Sequence, residues 1–160
     1  MGMQSLSSML WRERQLLELL LFKLEVEQLL LTSGHTRWLS HATDEVEAVL
    51  EQIRATELGH AVESDAVAAQ LGIPAGSTLA QLAAAAPTPW AGLLSEHRDA
   101  FIDLTGQIER LAADNRTLLT ASHRAAQETL MAVTQAVQTY DANGHAGSPT
   151  GSASLLDETL

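Results

Sequence analysis

The stretch Thr88–Tyr140, TPWAGLLSEHRDAFIDLTGQIERLAADNRTLLTASHRAAQETLMAVTQAVQTY, decides how the rest of this chain folds. After Pro89 no proline occurs until Pro149, and the only internal glycines are Gly92 and Gly106. Thr88 is suited to cap a helix and Pro89 to open it. Leu94, His97, Phe101, Leu104, Ile108, Leu111, Asn115 and Leu118 recur at steps of three and four, which is one face of a helix. A helix from Pro89 to Tyr140 reaches roughly 78 Å at about 1.5 Å per residue. No other segment is long enough to accompany all of it.

Working back towards the N-terminus, two more helical segments appear. The first spans about 9–31, capped by Ser7 or Ser8, and is apolar around more than one stripe. Such a helix belongs in the middle of a bundle, with neighbours on two sides. Gly34 suits the left-handed position that ends it. The second spans about 36–71, with a stripe of Leu39, Ala42, Val46, Val49 or Leu50, Ile53, Leu58, Val62, Ala66 and Leu71. The short Ser33–Thr36 connection makes the two an antiparallel hairpin. Gly72 stops the second helix, and a turn around Pro74 leads to a short uncharged helix over 78–86, capped by Ser77. Trp11, Trp38 and Trp90 each fall near a helix start, where a core plug is the default reading.

The reading is therefore all-α: an elongated antiparallel three-helix bundle or coiled coil with a short connecting helix and a disordered C-terminal tail. Residues 1–140 form one helical domain, with helices at about 9–31, 36–71, 78–86 and 89–140; residues 141–160 form the tail, because DANGHAGSPTGSAS is turn-forming and polar. By length, the second helix overhangs the first beyond about Leu58. The long helix then passes the far end of the bundle near Arg124. Beyond that point a stripe continues, shifted by one residue: Leu119, Ala126, Leu130, Val133, Val137 and Tyr140. A solvated helix end has no reason to keep such a stripe, so it reads as a surface for a partner helix.

Composition narrows the function. The chain has 160 residues and net charge −11, with Lys23 its only lysine, which argues against nucleic acid as a partner. Nothing resembles a signal peptide, and the richest apolar window, Leu16–Leu31, carries Glu18, Lys23, Glu25 and Glu27, which argues against insertion into a membrane. A cytoplasmic chain is expected. No cysteine is present, and no phosphate-binding loop, GxGxxG or GxSxG motif occurs. The expectation is a protein that is not an enzyme, with no cofactor. One ExxH pair, Glu57 and His60, is half of what a di-iron bundle needs, so a metal site is a minor alternative. A self-associating coiled-coil scaffold, pairing Ala125–Tyr140 between copies, is the main one. His97 and Asn115 either fix helix register as buried polar residues or contact a partner.

The run LWRERQLLELLLFKLEVEQLLLTSGHTRWLSHATDEVEAVLEQIRATEL at 10–58 and PWAGLLSEHRDAFIDLTGQIERLAADNRTLL at 89–119 resemble FlgN-type flagellar export chaperones, in the form associated with actinobacteria. Asn115-Arg116-Thr117-Leu118-Leu119 is similar to the family's N-x-x-L-L pattern, and Thr139–Asp141 extends the likeness. The resemblance implies a small cytoplasmic helical protein that binds hook–filament junction proteins such as FlgK and FlgL. It also implies delivery of them to the flagellar export gate and its ATPase apparatus. Binding would fall on the C-terminal part of the long helix, which makes Asn115, Leu118, Leu119, Ala126, Leu130, Val133, Val137 and Tyr140 the candidate partner-binding residues. The protein would be a monomer that forms a heterodimer with its client.

Overall fold

The computed structural model describes residues 2–142, with side chains through residue 138. Four α-helices occur among them: α1 (Gly2–Ser33), α2 (Leu39–Leu71), α3 (Leu79–Ala85) and α4 (Trp90–Ala142), with a 3₁₀ turn at Thr36–Trp38. The fold is all-α, as the periodicity requires. The expected tail at 141–160 lies almost wholly outside the described residues. Two compact units divide the chain between Leu118 and Leu119, not near Arg124.

In the first unit, two apolar clusters define how the helices run. Leu16, Leu20 and Leu24 of α1 meet Val46, Val49 and Ile53 of α2, with Ile108, Leu111 and Ala112 of α4 packed against them. Leu6 and Leu10 of α1 meet Val67 and Ala68 of α2, Leu82 and Ala83 of α3, and Leu94 of α4. The start of α1 therefore lies beside the end of α2 and the start of α4. This makes α2 antiparallel to both. All eight residues of the α4 seam from Leu94 to Leu118 are buried or half-buried.

The structure moves the start of the first helix from about Met9 to Gly2. Leu6 is completely buried, so the polar-looking lead continues the helix on a core-facing stripe. Ser8 donates to the Gln4 carbonyl within the helix and caps nothing. A Cβ on Gly2 would meet the Gln70 side chain at 2.7 Å, which places the very start of α1 against α2. At 32 and 33 residues, α1 and α2 are matched in length, and the expected overhang beyond Leu58 is not there.

Local stop and start signals explain the turns. Gly34 and Gly72 adopt φ of 74° and 73°, the left-handed conformation that glycine reaches without a Cβ penalty. The cap of α3 is Thr78, one residue later than expected. Its hydroxyl accepts from the Gln81 amide while the Gln81 side chain accepts from the Thr78 N–H, a complete capping box. At the start of α4 the Pro87 carbonyl accepts from Trp90 N–H at 2.8 Å, so a backbone group does what Thr88 was expected to do.

The seam of α2 departs from the sequence reading in its middle. Leu58 and Val62 are exposed, and His60 occupies the inward position a helical repeat after Ile53. A polar layer thus separates the two apolar clusters. His60 Nδ1 lies 2.8 Å from Glu13 Oε2, a charge pair poorly aligned for a hydrogen bond. His97 is buried between Trp11, edge-on at 4.9 Å, and Phe101, stacked at 6.2 Å. Two of the tryptophans are not core plugs. Trp11 is half exposed with the Arg14 guanidinium 5.1 Å from its ring centre, and Trp38 is exposed beside Arg37. Each ring covers itself with a neighbouring arginine.

Candidate partner-binding surface

The second unit begins at Leu119, and its described part is the continuation of α4. Here the candidate residues come together on one stripe. Leu119 is 48% exposed, Leu130 and Val133 are each 55% exposed, and Val137 is 44% exposed. Ala126 is exposed as well, and Leu118, the last residue of the first unit, is half-buried. Tyr140 falls on α4, but its side chain lies outside the described residues. Steps of 7, 4, 3 and 4 from Leu119 to Val137 keep these side chains on one helix face. Met131, 62% exposed, widens the apolar surface, and the periodic reading missed it because it lies one residue off the stripe.

Polar groups leave this face nearly uncharged. Thr129 and Thr134 turn their hydroxyls back to the carbonyls of Ala125 and Leu130. Their hydroxyls are thereby satisfied within the helix. Arg124 and Glu128 lie on other faces of the helix. Such a surface can bury apolar area against another helix without desolvating a charge.

Asn115 belongs elsewhere. It is 3% exposed, and its Nδ2 donates to the Leu24 carbonyl at 2.9 Å and to Glu27 Oε1 at 3.1 Å. The amide is engaged between α4 and α1 inside the first unit and does not face outward. Of the two readings open for it in the sequence, the structure places it where a register-fixing polar residue sits. It is the last buried side chain of α4 among the described residues.

The ExxH pair Glu57 and His60 lies in the other polar cluster. Glu57, His60, Glu13 and Asp65 line an open cleft of about 440 Å³ between α1, α2 and the segment leading into α3. His60 turns to Glu13 on α1, which shares no sequence motif with it, and not to form a ligand pair with Glu57. Among the described residues, no group of three or more His, Asp or Glu side chains is arranged to hold a metal ion. Asp65 instead accepts from the Gly76 N–H at 2.7 Å and fastens the turn before α3. The cleft has a structural use in each of these contacts.

The fold is that of a small helical protein whose long helix carries an exposed apolar stripe in the second unit. The FlgN protein family model matches residues 1–148, which is most of the chain. The chain belongs to the FlgN family, and by family it is a flagellar export chaperone. No curated protein and no solved structure matches it. Among the described residues, no helix is long and apolar enough to cross a membrane.

Proposed function

We propose that this chaperone works in the cytoplasm, binding hook–filament junction proteins of the FlgK and FlgL kind and delivering them to the flagellar export gate and its ATPase apparatus. The client's amphipathic terminal helix lies against Leu118, Leu119, Ala126, Leu130, Val133, Val137 and Tyr140. The observation that carries this reading is the exposed apolar stripe of the second unit, continued with core-like spacing on a helix face that keeps no charge. Covering a few such side chains, at about 25 cal/mol per Å² and after the costs of association, yields roughly micromolar binding. That strength suits a carrier that must release its cargo. Asn115 supports the face indirectly, by fixing α4 against α1 just before the stripe begins.

A monomer that forms a heterodimer with its client is the expected state. Mixing the protein with a purified junction protein should give one co-migrating species on size exclusion, and deleting residues 125–160 should abolish it. Survival of the complex in the deleted protein would exclude this surface. The same stripe also suits pairing between two copies, because no charge along it opposes self-association. Sedimentation across micromolar concentrations separates the two: a tight dimer of the chaperone alone would favour the scaffold reading.

A further inference from the structure

We propose that His123 fixes the register of the client helix on α4, and that the client sets a carboxylate or amide oxygen against its ring. The inference rests on the reading of the stripe as the client site. Steps of four and three run from Leu119 through His123 to Ala126, Leu130, Val133 and Val137, so His123 occupies a seam position and is its one polar member among these. The flanking rows, Thr120, Gln127 and Thr134 on one side and Ser122, Thr129 and Ala136 on the other, hold no charge. In paired helices, charges in these rows ordinarily set partner choice and alignment. Here they cannot.

Without another device, a client helix could slide by seven residues and still set apolar against apolar at most steps. A polar group in the seam prevents this, because a slipped register would bury it against an apolar side chain. His123 is exposed in the free protein, and the Gln127 amide Nε2 lies 3.3 Å from its ring Nε2. With Gln127 donating there, the ring hydrogen sits on Nδ1, and an oxygen acceptor on the client satisfies it. The cost is some affinity, as for other polar seam residues. The chemistry of the partner follows: an amphipathic helix with an apolar seam interrupted once by Asp, Glu, Asn or Gln.

The test places a photoreactive amino acid at position 129, in a flanking row, and maps its cross-links on a purified hook–filament junction protein. The otherwise unaltered chaperone should give cross-links at one site on the client. His123→Leu should bind no more weakly, about fivefold tighter on the scale of a polar group removed from an apolar contact, and should add a second site displaced by seven residues. His123→Asn should keep the single site. A single site in His123→Leu, or weaker binding by it, overturns the role of His123 alone. Absence of binding by the unaltered chaperone overturns the client site and this inference with it.

Discussion

At the scale of single residues, the half-buried His60 and the buried His97 of the polar layer pull stability in opposite directions with pH. The nearby Glu13 carboxylate raises the His60 pKa above its ordinary value of 6.5, against the opposing effect of burial and with help from Glu57. Burial lowers the His97 pKa below 6.5, helped by Arg14 and opposed by Glu96. A raised pKa means that the contribution of His60 is fully present below 6.5 and is lost as pH rises through the raised value. A lowered pKa means that the contribution of His97 is present above 6.5 and is lost as pH falls through the lowered value. Stability between about pH 5 and 8 should therefore peak near the ordinary histidine value. Urea midpoints across this range should show the alkaline arm flattened by Glu13→Gln and the acid arm flattened by His97→Phe; unchanged arms would contradict the assignment. Asn115 makes a second residue-scale prediction. Asn115→Ala removes two hydrogen bonds between α4 and α1 and should lower unfolding stability by about 1–3 kcal/mol, read from urea denaturation. No change would mean that the amide is not fixing the helices.

At the scale of elements, periodicity made three of the helices legible, and it failed where the signal lay outside hydrophobicity. The seam of α4 from Leu94 to Leu118 could be read directly, because steps of three and four admit no other regular structure. The first seven residues of α1 look like a lead because Gln4, Ser5, Ser7 and Ser8 are polar and Gly2 is a poor helix former; tertiary packing of Leu6 and Leu10 draws them into the helix. The same blindness affected α2, where Leu58 and Val62 looked like core and His60 holds the inward position. A pattern of apolar residues cannot show that a Glu13–His60 pair will replace two of them. Leu6→Ala checks the corrected start of α1. It should cost about 2–5 kcal/mol, measured by chemical denaturation, since the side chain is completely enclosed. A loss below about 0.5 kcal/mol, the level of an ordinary surface substitution, would mean that residues 2–8 do not belong to the core.

At the scale of the whole molecule, the division between Leu118 and Leu119 separates a packed part of one helix from an exposed part. The first unit satisfies its seam internally, with apolar clusters, a histidine layer and Asn115 against α1. The second unit has the same spacing of apolar side chains and leaves them exposed. The stripe itself was legible in the sequence, since it needs only periodicity. Its beginning was not, because a comparison of helix lengths depends on helix ends, the part of a helix that sequence specifies least. Asn115, one seam position before Leu118, is a partner candidate only through the N-x-x-L-L resemblance; its contacts with Leu24 and Glu27 are what distinguish an inward amide from an outward one. The claim on which the rest depends is that the exposed stripe is the client site. Titration of a purified hook–filament junction protein with the Leu130→Glu, Val133→Glu double variant tests it most directly, because both side chains are exposed and their replacement leaves the first unit's core untouched. The account predicts roughly micromolar binding by the unaltered chaperone and a loss of at least about tenfold in the variant, with the thermal unfolding of the two proteins alike. Equal affinity of the two would contradict it.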